Sequence, residues 1–107
     1  MTDQVLQEKI EALGRILQNA GGSGCRVYFN PPNKLEYPCI LYELAKRTSE
    51  NADDMHYIKR LQFTITVITR DPYSGIPDKV YESLEYISHD NRFVADRLYH
   101  DVFTHIE

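Results

Sequence analysis

The sequence has no tryptophan, only two cysteines and no long apolar segment among its 107 residues. Cys25 and Cys39 form no CxxC pair and are too few for a disulfide framework, so we predict two reduced, partly buried thiols. No apolar run approaches the roughly 20 residues of a membrane-spanning helix, and the first residues lack the pattern of a secretory signal. We therefore expect a protein that is cytoplasmic at least where it is made and has no membrane partner.

An excess of basic residues is also missing. The chain has 12 lysines and arginines against 16 aspartates and glutamates, which gives a formal net charge of −4. A surface that binds nucleic acid needs a basic excess or a basic stripe. The two basic pairs, Lys46-Arg47 and Lys59-Arg60, have acidic residues between them. The charge pattern therefore predicts no nucleic-acid partner.

Residue types that catalyse reactions or bind metals are present, but their spacing is not typical of a site. His100 and His105 are five residues apart in a predicted strand, so their side chains should point to opposite faces. His89-Asp90 is expected to be a solvated pair in a loop that ends a helix. Neither cysteine is predicted beside a base or a helix N-terminus that would activate its thiol. We expect no catalytic residue, no metal and no cofactor, and thus a protein that is not an enzyme.

The most regular pattern lies at residues 60–69, RLQFTITVIT. Side chains alternate between faces along a strand, so this pattern indicates a strand with one buried and one wet face. The face predicted to be buried carries Leu61, Phe63, Ile65 and Val67, and the other carries Gln62, Thr64 and Thr66.

The remaining patterns predict two helices and three further strands around this strand. An apolar stripe at helical spacing indicates a helix over residues 3–19, in which Gly14 could permit a close approach to the sheet. Pro77 suits the first turn of a second helix, predicted over residues 77–88. The other strands are predicted at residues 26–29, 37–44 and 98–106. This order, α-β-β-β-α-β, predicts one α+β domain over residues 1–107: a small, mainly antiparallel sheet with two helices packed on one face.

Residues 45–58, AKRTSENADDMHYI, are too polar to be buried and join two strong strands. They are predicted to be an exposed connection or the tip of a long antiparallel hairpin, a candidate contact arm, hereafter the arm. The eight tyrosines are more than a small core needs, and tyrosine is common at protein interfaces. The candidate interface residues are Ser49, Asn51, Asp53, Asp54, Tyr57, Tyr73 and Tyr86.

Three segments carry a resemblance to a known group of proteins. They are residues 37–40 (YPCI), residues 66–79 (TVITRDPYSGIPDK) and residues 96–103 (DRLYHDVF). They resemble the small tail-completion, tail-terminator or head–tail joining proteins of tailed bacteriophages and prophages of Gram-positive bacteria. The resemblance covers roughly residues 37–103, is weak over 81–93, and includes no catalytic signature.

The resemblance implies a virion assembly protein that is not an enzyme. Such proteins form a ring, commonly of six copies, which caps the tail tube and joins the tail to the head. The implied partners are further copies of the chain, the tail tube protein and a head-completion or connector protein. The implied location is the host cytoplasm during assembly and then the head–tail junction of the virion. We hypothesise that the arm and the turn around Tyr73 supply one patch of a heterologous ring interface.

Two other functions remain open from the sequence. One is a head-completion or connector protein on the portal side of the same joint. The other is a phage-encoded regulator of a host protein.

Overall fold

The computed structural model describes residues 3–52 and 56–107, with side chains described at positions 4–46 and 60–107. Within these ranges the chain forms two helices and five strands. They are α1 (Asp3–Gly21), β1 (Arg26–Phe29), β2 (Cys39–Ala52), β3 (His56–Thr69), α2 (Ile76–Ser83), β4 (Ile87–Ala95) and β5 (Leu98–Ile106).

The strands form one sheet in the order β1-β2-β3-β5-β4. β1 runs parallel to β2, and the other three neighbouring pairs are antiparallel. The register between β2 and β3 shifts once, between Leu44 and Lys46. The predicted class, an α+β domain with a mainly antiparallel sheet, is confirmed.

Both helices cover the same face of the sheet, as predicted. Leu13 and Leu17 of α1 and Val80 of α2 are almost fully buried in one apolar cluster. The predicted inward residues of β3, from Leu61 to Val67, are each at most 2% exposed and belong to this cluster. Burial of this apolar surface is the main force that holds the helices on the sheet.

The second helix is shorter than predicted, and a strand was missed. α2 ends at Ser83, and Leu84 already has extended backbone angles. The residues expected to end the helix, 89–91, lie instead in β4, which pairs with β5. Leu84 and Ile87 do pack against the core, but they do so from a turn and a strand. Their spacing fitted a helix because a helix, like the observed turn and strand, would direct both side chains toward the core.

The arm is the tip of a long hairpin, one of the two structures that its composition predicted. β2 continues to Ala52 and β3 begins at His56, with residue pairs from Lys46↔Gln62 to Ala52↔His56. The predicted antiparallel hairpin with the arm at its tip is thus confirmed, and residues 46–52 and 56–58 of the arm are paired strand. Cross-strand backbone hydrogen bonds do not need apolar side chains, so polar residues can occupy a two-stranded ribbon.

No helix in the described ranges is both long and apolar enough to cross a membrane.

Candidate interaction surface

The sequence-predicted interface residues fall into three groups. Ser49 and Asn51 lie in the β2 part of the arm, and Tyr57 lies in its β3 part. Asp53 and Asp54 lie outside the described residues. Tyr73 and Tyr86 lie near the two ends of α2, one before its first residue and one after its last.

Tyr73 and Tyr86 are the two most exposed of the large apolar side chains that the structure describes, at 91% and 80%. Tyr86 also has a φ of +52°, a left-handed backbone conformation that a bulky residue adopts only at a free-energy cost. Its carbonyl oxygen accepts a hydrogen bond from the backbone N–H of Ile106. A large aromatic ring is therefore held in solvent by a backbone that would favour glycine or asparagine.

The arm and the Tyr73 turn do not form one patch. β3 runs from His56, in the arm, to Thr69, just before the turn. At about 3.3 Å per residue these two ends are roughly 40 Å apart. The hypothesis that both supply the same patch is therefore wrong, since the fold puts them at opposite ends of its longest strands.

The arm extends beyond the rest of the sheet. The pairing of β2 with β1 ends at Tyr42, but β2 itself continues to Ala52. β3 begins at His56, before Gln62, where its pairing with β5 starts. The molecule measures 51 × 24 × 24 Å, and its radius of gyration is 15.0 Å, against roughly 13 Å for a compact chain of this length. The chain is elongated along the direction of the arm.

A cleft of about 660 Å³ lies between α2 and the strands β4 and β5. Tyr73 and Tyr81 line it on the helix side, and His89, Arg92 and Asp101 line it on the strand side. Tyr81 is 50% exposed, so it presents a second tyrosine to an approaching partner.

Asp101 is the buried charge of this cleft, with only 2% of its surface exposed. Its Oδ1 atom lies 3.0 Å from Nε2 of His89 and 3.7 Å from Nε of Arg92. Its Oδ2 atom is buried and accepts no hydrogen bond within the described part of the chain. A buried carboxylate needs such cationic or N–H partners, because burial without them is costly.

Arg92 ties the edge strand β4 to the segment before α2. Its Nη2 atom donates a hydrogen bond of 2.8 Å to the carbonyl oxygen of Pro72. Its guanidinium group lies 5.4 Å from the ring centroid of Tyr99. Further along the same two strands, the ring of His89 in β4 stacks on the ring of Phe103 in β5, with 4.8 Å between the ring centroids. The network therefore fastens three elements at one end of the core.

An imidazole paired with a carboxylate can act as a general base when a nucleophile lies within reach. Among the serines that line the cleft, Ser88 donates a hydrogen bond to Asp90, and Ser74 accepts one from the backbone N–H of Ile76. The contacts of Asp101, His89 and Arg92, hereafter the clasp, join β4 to β5 and to the segment before α2.

The sequence reasoning missed this network because it did not recognise β4. His89 was expected to be solvated beside Asp90, but it bonds to Asp101 on the neighbouring strand. A two-residue turn at Asp96-Arg97 places Arg92 opposite Asp101, so a hairpin interpretation of residues 87–106 would have found the pair. His100 and His105 do lie on opposite faces as predicted: His100 stacks on Phe93, and His105 is buried beside Phe63.

Both cysteines are free and buried, as predicted. Burial raises the pKa of the Cys39 thiol to about 11, and the neighbouring Cys25 adds to the rise. Burial also raises the pKa of Cys25. Both thiols are therefore protonated and unreactive near neutral pH. Over residues 3–52 and 56–107, no three His, Cys, Asp or Glu side chains lie close enough to hold a metal ion.

Comparison with models of known protein families found none that matches this chain, and comparison with curated proteins found no match either.

Proposed function

We propose that this chain is a virion assembly protein that is not an enzyme, caps the tail tube of a bacteriophage and joins the tail to the head. It acts as a ring of identical copies, six by the resemblance stated above. It works in the host cytoplasm during assembly and then stays at the head–tail junction. The observation that carries the proposal is the arm, a polar two-stranded ribbon that extends beyond the sheet.

An isolated two-stranded ribbon is only marginally stable in water, and it gains stability when another surface packs against it. Over the arm residues that the structure describes, 45–52 and 56–58, the outer edges have unpaired backbone groups, because β1 and β5 pair only with the other parts of β2 and β3. Unpaired edges of this kind favour association with a further chain. The arm is therefore the element best suited to contact a neighbouring subunit.

A closed ring also needs a different patch on the same subunit to receive the neighbour. The exposed tyrosines near α2 are suited to this role, because tyrosine combines a large apolar ring with a polar tip. The clasp of Asp101, His89 and Arg92 holds β4 beside this surface. A patch that is rigid before binding loses less entropy when the partner arrives.

Polymerisation of a purified bacteriophage tail tube protein tests the proposal. Tubes are assembled with and without the purified chain, and their lengths and ends are measured by electron microscopy. We expect the chain to bind one end only and to stop growth there. Tubes of unchanged length with no bound chain would contradict a terminator function.

The same tubes distinguish the second role at this joint. A chain that ignores tubes but binds purified portal or connector rings would be a head-completion protein. Sedimentation of the chain with each assembly measures which one it binds.

A further inference from the structure

The cleft between α2 and the strands β4 and β5 contains a buried carboxylate whose hydrogen-bonding capacity is only partly used. The cleft volume of about 660 Å³ lies in the range of ligand-binding sites. Asp101 lines the cleft with a side chain that is only 2% exposed. An ionised carboxylate can accept about four hydrogen bonds. Oδ1 of Asp101 accepts one, from Nε2 of His89 at 3.0 Å, and Oδ2 accepts none within the described part of the chain.

The arginine already beside this carboxylate does not complete the site. Nε of Arg92 lies 3.7 Å from Oδ1, which is too far for a hydrogen bond. The Nη2 atom of Arg92 donates instead to the carbonyl oxygen of Pro72. Asp78, in the first turn of α2, adds a second carboxylate to the lining. When the imidazole of His89 is neutral, two carboxylates stand against one guanidinium, so the cleft favours a further cation.

Tyrosines on the helix side of the cleft suit the same kind of guest. Tyr73 and Tyr81 line it, and both are exposed. The face of a tyrosine ring attracts a cation. A guanidinium group can stack on such a ring with its plane while its N–H groups donate to a carboxylate, whereas a lysine ammonium has no plane to stack. The combination of tyrosine and carboxylate therefore favours arginine.

We propose that the cleft binds an arginine side chain of a partner protein. The guanidinium group donates to Oδ2 of Asp101, pairs with Asp78 and stacks on Tyr81. Oδ2 is covered in the free protein, but the side chains of His89 and Arg92 beside it are 41% and 45% exposed. An outward rotation of either one opens the carboxylate to the guest and leaves the backbone pairing of β4 with β5 intact. The proposed arginine site goes beyond the assembly role and does not depend on it.

A matched pair of probes separates charge from shape. Nα-acetyl-arginine amide is titrated into the ¹⁵N-labelled protein, and Nα-acetyl-citrulline amide, an uncharged analogue of nearly the same shape, is the control. We expect the arginine probe to bind in the millimolar range, since it is small. Its chemical-shift changes should be concentrated at Tyr81, Arg92 and Asp101. The citrulline probe should bind about tenfold more weakly or less, because it lacks the charge.

Substitutions at the rim test the site without disturbing the core. Asp78 and Tyr81 are exposed, so Asp78→Asn and Tyr81→Ala should each keep the protein folded and weaken binding of the arginine probe about two- to fivefold. Asp96→Asn removes the same charge in the turn between β4 and β5, outside the cleft, and should bind like wild type. Asp101→Asn should abolish binding, and circular dichroism shows whether it is folded. If it is not, the two rim variants decide.

Three results would overturn the proposal: no shift of the cleft resonances at any soluble concentration of the arginine probe, equal binding of both probes, or wild-type binding by both rim variants. Tighter binding of free arginine than of the blocked probe would assign the cleft to a small molecule and also overturn it. The proposed function would survive each of these results, because assays of tubes and virions judge it independently.

Discussion

Gly14 shows how one residue sets the distance between a helix and the sheet. The hydroxyl of Tyr42 donates a hydrogen bond of 3.0 Å to the carbonyl oxygen of Ile10 in α1. A Cβ atom at position 14 would lie 2.5 Å from that hydroxyl oxygen. The sequence suggested a close approach at Gly14, and the structure supplies its partner, which lies 28 residues further along the chain.

Substitution of Gly14 by alanine should therefore destabilise the protein, although alanine favours helix by about 1 kcal/mol. Displacement of the buried Tyr42 ring and loss of its hydrogen bond should outweigh that gain, for a net loss of about 1–2 kcal/mol in the free energy of unfolding. Urea titration measures it. In a Tyr42→Phe background the clash is absent, so Gly14→Ala should be neutral or stabilising there. An equal loss in both backgrounds would refute this account of the contact.

Asp90 is a residue whose role depends on pH. The hydroxyl groups of Thr104 and Ser88 donate hydrogen bonds to its carboxylate and lower its pKa. A folded-state pKa below the unfolded value of about 3.9 means that the ionised group stabilises the fold above that value. This contribution is lost as the pH falls through the folded pKa.

We expect Thr104→Val to lower the free energy of unfolding at pH 6 by a few tenths of a kcal/mol, since Asp90 is mostly exposed to screening solvent. The difference from wild type should shrink as the pH is lowered toward 2.5, because only the ionised carboxylate gains from these hydrogen bonds. Urea titrations at both pH values measure it, with Asp90→Asn as the control that removes the titrating group. A difference that stays constant between the two pH values would contradict the assignment.

At the scale of elements, the sequence was informative where burial and periodicity coincide. β1 and β5 have the predicted bounds, and β3 has the predicted inward face. β4 has no such signal, since nearly all of its residues are exposed. Its stability comes from pairs with β5, among them His89 with Asp101 and Phe93 with His100. Contacts between the two strands of a hairpin do not require a periodic pattern of apolar residues in either strand alone.

The prediction of the interface residues was limited in the same way, because composition does not show how strands pair. Tyrosine excess and polarity pointed to Tyr73 and Tyr86, which are indeed exposed. The strand register that separates Tyr73 from the arm could not be deduced from composition. The positive φ values of Tyr86 and Arg97 were equally hidden, because they arise from turns on both sides of the missed strand.

Shortening of the arm tests its role as an element. Replacement of residues 49–59 by the two-residue turn Asn-Gly keeps the pair Thr48↔Arg60 at the end of the ribbon. The core residues lie elsewhere, so the Tm should change by only a few degrees, while ring assembly should be lost. Circular dichroism and native mass spectrometry measure the two effects.

A matched control keeps the arm at full length and replaces only three of its acidic residues. Glu50→Gln, Asp53→Asn and Asp54→Asn remove the charge without shortening the ribbon. If the neutral arm fails as the short arm does, charge drives the contact; if it assembles, length and backbone pairing do. Assembly by the shortened chain would exclude the arm from the interface.

At the scale of the whole molecule, the two ends of the elongated fold differ from each other. One end carries the arm, and the other carries the Tyr73 turn and the turn between β4 and β5. The proposed ring requires that unlike patches of neighbouring subunits meet.

For the proposed prophage gene, electron microscopy of an induced lysate after deletion of the gene tests the central claim most directly. We expect overlong or irregular tails beside filled heads without tails, and normal virions when the gene is supplied in trans. Tails of normal length that fail to attach would move the chain to the connector side of the joint. Intact virions without the gene would contradict the account.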